Sequence, residues 1–160
     1  MATVKLKHLK DKATLEEYKD VFYELDEAMN QEMTNHIPAN LVNSDSTDNS
    51  MRNWLTAILE IIKNPDHNIY LLLDETAQVI GFIELQTQGN RVVNILNIYI
   101  QETYRSKGYG TAILEHVKNI AKSNKFKTII LSVYNKNVKA FKLYESLGFI
   151  PYQVLMYTDI

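Results

Sequence analysis

Cysteine is absent from all 160 residues, which removes disulfides, thiolate metal sites and a cysteine nucleophile together. His8, His36, His67 and His116 lack the i, i+4 or clustered spacing of metal ligands, so no metal is expected. No G-x-S-x-G elbow for serine acyl transfer is present, and the run Gly108-Tyr109-Gly110 lacks the Lys-Ser/Thr ending of a P-loop. Long apolar runs are missing too. None approaches membrane-spanning length, and Met1 to His8 alternates apolar and charged residues without the apolar centre of a signal peptide. A soluble protein with no membrane partner is expected. The formal net charge is only −2, which argues against attachment to nucleic acid by bulk charge. Repeats, low-complexity tracts and linkers are lacking, and the length suits one domain burying about two-thirds of its unfolded surface.

The residues that are present fall into periodic blocks. Val4, Leu6 and Leu9 suggest a short first strand, after which Thr14-Leu15-Glu16-Glu17 has the form of a capping box. Leu15, Tyr18, Phe22, Leu25 and Met29 then line one helical face. Asn30 to Asn49 reads as a polar connection, and Met51 to Lys63 as a second helix stopped near Asn64-Pro65. Strands follow at Ile69 to Leu73, Val79 to Leu85 and Val92 to Ile100, with turns around Glu75-Thr76 and Gly89-Asn90. After the glycine run come a helix with Ile113, Leu114, Val117, Ile120 and Ala121 on one face, an apolar strand, and a helix burying Phe141, Tyr144 and Leu147. The tail Tyr152 to Ile160 is long enough for one more strand. The order β-α-α-β-β-β-α-β-α-β predicts a mixed sheet with helices on both faces, a three-layer α/β fold.

Chemistry concentrates between Val92 and Phe149. Strand, glycine turn and helix make a cradle for an anion: two glycines let the chain approach closely, backbone N–H groups converge, and the helix adds its positive end. A pyrophosphate suits such a turn. Downstream stands Asn137-Val138-Lys139-Ala140-Phe141-Lys142-Leu143-Tyr144, ending in Gly148-Phe149. In this order the segments resemble the GNAT superfamily of N-acetyltransferases, over roughly the C-terminal two-fifths of the chain. The resemblance implies a GNAT-like domain over residues 1–160, with 1–90 the acceptor-side half and 91–160 the acetyl-CoA-binding half. It also implies acetyl-CoA as co-substrate, a small-molecule or protein amine as acceptor, and a cytoplasmic location.

Carried over by position, the family's glycine turn holds pyrophosphate on the backbone of Arg105, Ser106, Lys107, Gly108, Tyr109, Gly110 and Thr111. The family's asparagine for the pantetheine arm matches Asn137, with Ala140 three residues on in the same phrase, and the tyrosine seven residues after the asparagine, which protonates the leaving thiolate, matches Tyr144. The main-chain N–H that meets the oxyanion falls on the backbone of Ile98, Tyr99 and Ile100, where a bulge in the family parts two strands. Several family members place a glutamate base on that strand; here the matching residue is Asn94 or Asn97, and an amide is no base near neutral pH. Glu84 on the preceding strand is the nearest alternative, with Glu24, Asp26 and Glu27 of the first helix behind it. A catalytically silent acyl-CoA-binding module and a nucleotide-binding interaction domain remain open as other readings.

Charge is divided along the chain. From Asp20 to Met51 stand seven carboxylates (Asp20, Glu24, Asp26, Glu27, Glu32, Asp45, Asp48) and no Lys or Arg, whereas Arg91 to Lys142 carries ten basic residues against Glu102 and Glu115. The basic half would draw a polyanionic cofactor and the acidic segment a cation. The resemblance, in which the first two helices and their connection wall the acceptor site, implies that this cation is the amine. Tyr99, Tyr104, Tyr109, Tyr134 and Tyr152 lack an RNP-like cluster and read as core and pocket walls, so no nucleic acid is expected. A tail with a single strand would leave a sheet edge open and apolar, a candidate homodimer surface.

Overall fold

A computed structural model describes residues 2–42 and 50–160. Its elements run β1 (Lys5–His8), α1 (Lys12–Thr34), α2 (Met51–Ile62), β2 (His67–Leu73), β3 (Val79–Gln88), β4 (Val92–Ile100), α3 (Tyr109–Ser123), β5 (Thr128–Leu131) and α4 (Val138–Ser146). Short 3₁₀ turns lie at Ala39–Leu41 and Glu102–Tyr104. The sheet order is β1-β2-β3-β4-β5, antiparallel throughout except for the parallel pair β4 and β5.

Alternation along the strands builds two cores. Ile69, Leu71 and Phe82 point to one face, where they pack with Leu15, Phe22, Leu25 and Met29 of α1 and Ile58 of α2. Leu72, Ile80, Ile83, Leu85, Val93 and Ile95 point to the other, against Ile113, Leu114, Val117 and Ala121 of α3, with Leu143 and Tyr144 of α4 at its margin. The three-layer mixed α/β architecture is therefore as the pattern predicts.

Three boundaries differ from the sequence reading. Asp11, three residues ahead of the expected capping box, caps α1: its Oδ1 accepts from Thr14 N at 2.8 Å and from Thr14 Oγ1 at 2.7 Å. The helix then outruns the polar stretch expected from Asn30 and continues to Thr34, because Met33 extends the apolar stripe of Met29 onto the same core. The expected last strand does not form: nothing between Tyr152 and Ile160 pairs with the sheet, and Leu155 is 94% exposed. Pro151 offers no N–H where such pairing would begin. Asp45 and Asp48 lie outside the described residues.

The strand pair that carries the site is itself irregular. Glu84 pairs with Asn97 and Leu85 with Ile95, so Leu96 is one residue too many and β4 bulges there. Nearby, Gly81 faces Ile100, and a Cβ built on it would stand 2.1 Å from Tyr99 O. Backbone cannot yield as a flexible side chain can. Gly81→Ala is accordingly expected to lower the unfolding free energy by about 3 kcal/mol or more, measured by chemical denaturation, at the upper end of overpacking effects.

Candidate active site

β5 stops at Leu131 while β4 runs on to Ile100, and the two pair only from Val92 to Ile95. Past the bulge the strands are apart. Gln101 N donates to Ile80 O across the sheet at 2.9 Å, and donor direction alternates along a strand. Asn97 and Tyr99 therefore turn their amides to β3, whereas Ile98 and Ile100 turn theirs into the opening left by β5. Arg105 Nε donates to Ile100 O at 2.8 Å, which accords with that orientation.

The opening is a cleft of about 130 Å³. One wall is Ile95 to Tyr99, the second Leu131 to Tyr134 with Asn137 and Tyr144, and the third the end of α1 with Met29, Glu32, Met33 and His36. Four of the residues singled out in the sequence thus meet: Ile98, Tyr99, Asn137 and Tyr144. Tyr144 is held on α4 with Phe149 edge-on at 5.9 Å, and burial raises its phenol above the ordinary value, so it keeps its proton at neutral pH. Asn137 is the N-cap of α4; its Oδ1 accepts from Ala140 N at 3.3 Å, which leaves its amide N–H groups to the cleft and commits the Ala140 donor to the cap.

The glycine turn lies at the start of α3. Gly108 caps the helix in the left-handed conformation, φ 86°, and Ser106 is left-handed as well, φ 59°. The first helical amide to find its carbonyl is that of Ala112, on Gly108 O at 3.1 Å, so the amides of Tyr109, Gly110 and Thr111 project from the helix end. Gly108 is required for its φ and not for space, since an added Cβ would stand 3.6 Å from Ala2. Gly110 has another reason: a Cβ there would meet Leu143 Cδ2 at 2.9 Å, so its smallness seats α4 against α3.

Side chains of this run do other work than cradling. Arg105 makes a two-pronged pair with Glu32, Nη1 to Oε1 at 2.9 Å and Nη2 to Oε2 at 2.7 Å, and lies over the Tyr99 ring at 5.3 Å. The buried Tyr109 hydroxyl donates to Glu75 at 3.0 Å, and Lys107 lies over the Tyr104 ring at 5.4 Å.

Glu84 does not line the cleft. Its Oε1 is held by His67 Nε2 and its Oε2 by Asn97 Nδ2, with 12% of its side chain exposed. Asn97 stands between it and the cleft wall. Of the carboxylates of α1, only Glu32 lines the cleft, and it is paired with Arg105. Asp26 accepts from Trp54 Nε1 at 2.8 Å instead. His36, which stacks near Tyr134 with ring centres 6.4 Å apart, is a cleft residue that spacing alone did not single out. Its place four residues after Glu32, on the stripe of Met29 and Met33, was the available signal. Among the described residues no cluster of three His, Asp or Glu could hold a metal ion, and no helix is long and apolar enough to cross a membrane.

Comparison with known proteins gives the family and the fold. The family model described as Acetyltransferase (GNAT) family matches residues 13–149. Streptothricin acetyltransferase of Escherichia coli is 33% identical over 72 residues, 45% of this chain and 41% of that protein. The chain spans less than two thirds of the length of the curated relatives it matches. The fold is shared with YycN of Bacillus subtilis, TM-score 0.67 at 19% identity over 99% of both chains. It is shared also with the aminoglycoside 6'-N-acetyltransferase AAC(6')-Ih of Acinetobacter baumannii, TM-score 0.65 at 17% identity over 99% of this chain and 98% of that one.

Asp26 yields a test of how the wall beside the cleft is charged. Burial raises its pKa, with the Trp54 hydrogen bond opposing and the Glu84 charge adding. A carboxyl whose pKa is raised on folding adds stability below its unfolded-state pKa, and that stability is lost as the pH climbs through the folded-state value. Asp26→Asn, which keeps an acceptor for Trp54, should raise the thermal midpoint at pH 7 and leave it nearly unchanged at pH 3.

Proposed function

Because the chain belongs to the acetyltransferase (GNAT) family, we propose that it moves an acetyl group from acetyl-CoA to a primary amine by direct attack in a ternary complex. The observation that carries this reading is the parting of β4 from β5, which brings the outward amide of Ile98, the Asn137 side chain and the Tyr144 phenol to one cleft. The residues present suit an acyl-CoA. The projecting amides of Tyr109, Gly110 and Thr111 and the left-handed Gly108 would hold its pyrophosphate, with Arg105, Ser106 and Lys107 completing the turn. The thioester supplies the acyl group; the protein supplies donors and proton transfers.

Each role follows from position. The Ile98 amide, free of β3, supports donation to the acyl oxygen as negative charge gathers there, with Ile100 beside it and Tyr99 behind. Asn137 N–H groups suit the amide carbonyls of the pantetheine arm. Tyr144, protonated at neutral pH, would give its proton to the departing sulfur. His36 lines the cleft and would take up the amine's proton, directly or through water, whereas Glu84 acts on the site through Asn97.

The acceptor is best read as a cationic amine. Asp20, Glu24 and Glu27 leave α1 negative, although the ties of Asp26 to Trp54 and of Glu32 to Arg105 reduce that field at the cleft itself. Relatives named for streptothricin and aminoglycosides put those acceptors first in a panel. Association of two copies is supported by the exposed apolar tail and by the outer edge of β5, unpaired among the described residues, and a monomer in sedimentation at micromolar concentration would remove it. One observation favours a silent acyl-CoA-binding module: both oxygens of Glu84 and both of Glu32 are engaged, so among the described residues no free carboxylate faces the cleft.

Calorimetry with acetyl-CoA, CoA and ATP, followed by thiol release over an amine panel, separates the readings. Tight acetyl-CoA binding with turnover supports the enzyme, binding without turnover the silent module, and equal affinity for ATP a nucleotide site. Tyr144→Phe is expected to lower kcat by about 10- to 10⁴-fold with acetyl-CoA affinity nearly unchanged. A folded Gly108→Val variant should lose acetyl-CoA binding, since a β-branched residue does not hold the φ of the turn.

A further inference from the structure

Asn97 is one of the two strand residues that match the family's glutamate base, and its surroundings give it a definite task. A carboxylate only accepts hydrogen bonds, so the contact with Glu84 Oε2 fixes Asn97 with Nδ2 toward Glu84. The amide cannot then reverse without setting its own oxygen against the carboxylate. Glu84 is in turn held from its other oxygen by His67 Nε2, and both side chains are about nine-tenths buried, at 12% and 13% exposure. Asn97 Oδ1 has no hydrogen-bond partner among the described residues, and it is no orphaned buried atom either, because none occurs there. It therefore opens to the cleft that Asn97 lines.

We propose that Asn97 Oδ1, held in orientation by the His67–Glu84 pair, is the acceptor-amine subsite: it takes an N–H of the incoming primary amine and aims its lone pair at the acyl carbon. The inference rests on the acetyl-transfer reading above. Its geometry is local. Asn97 precedes Ile98, so the amine subsite and the amide offered to the acyl oxygen are one residue apart, about 3.3 Å along the strand. Asn97 and Ile98 point to opposite faces of β4, Asn97 toward α1 with Glu84 and Ile98 toward α3, so the amine arrives from the α1 side. A side-chain carbonyl oxygen suits the reacting nitrogen better than a carboxylate in one respect: it orients an N–H without holding the amine as its ammonium ion. Glu84 and His67 are positioning residues in this arrangement.

The direct test reads binding without turnover. Butylamine and butyltrimethylammonium are titrated into ¹⁵N-labelled protein saturated with CoA; they share a tail and a charge, but only the first has N–H. Butylamine should shift the Asn97 side-chain amide resonances and butyltrimethylammonium should not. Asn97→Ala should weaken butylamine about 10-fold, the effect of one hydrogen bond from a charged donor, and leave the quaternary probe unchanged. In turnover, Asn97→Ala should raise the amine KM by a similar factor at constant acetyl-CoA KM, and Glu84→Gln should raise the amine KM while the acid limb of the pH profile stays in place. Loss of that limb in Glu84→Gln would make Glu84 the base and overturn the assignment. Equal shifts by both probes, or equal loss of both in Asn97→Ala, would overturn it too. Absence of turnover with these shifts intact would refute the acetyl-transfer reading and leave an amine site standing.

Discussion

One surplus residue in β4 is the constraint on which the rest of the site depends. Ile95 and Ile98 both face α3, which residues three apart on a regular strand cannot do; Leu96, inserted opposite no partner, restores the phase. The same insertion bends β4 away from β5, so the parallel pairing ends at Ile95 and Leu131. Without it the sheet would close and the Ile98 and Ile100 amides would be spent on a neighbouring strand. Core packing and the open cleft are two consequences of one irregularity.

The third wall is fixed by a different interaction. Arg105 grips Ile100 O with Nε and both Glu32 oxygens with its fork, and so ties the end of α1 to the end of β4 across the cleft mouth. The pair is about a third exposed, which limits its contribution to stability, but its bidentate geometry holds α1 in register. Met29, Met33 and His36 reach the cleft because α1 continues to Thr34 at that height. An arginine that looks like part of a phosphate turn thus serves as a clamp.

Carboxylates illustrate why a count of charges misleads. Asp26 is spent on Trp54, Glu32 on Arg105 and Glu84 on His67 and Asn97. Each sits where a base or an electrostatic lure would be sought, and each is taken by a neighbour on another element. Among the described residues, the polar groups left to face the cleft include the amides of Asn97 and Asn137, the Tyr144 phenol and the Tyr134 and His36 rings.

Sequence by itself determined the features that depend on local periodicity and backbone chemistry. The stripe of Leu15, Phe22, Leu25 and Met29, the apolar run of Val79 to Leu85, the glycine turn at Gly108 and the phrase from Asn137 to Tyr144 are short-range, and each stands where its pattern indicates. Tertiary structure decided the rest. Which residue bulges in β4 depends on the register against β3; that Gly81 must be glycine depends on Tyr99 O across the sheet; that His36 reaches the cleft depends on how far α1 runs. The final strand expected in the tail failed for the same kind of reason, since its length is adequate but a strand exists only when an edge takes its hydrogen bonds. A pattern along the chain records what each residue prefers, and only the folded neighbours decide which donors, acceptors and charges remain unspent.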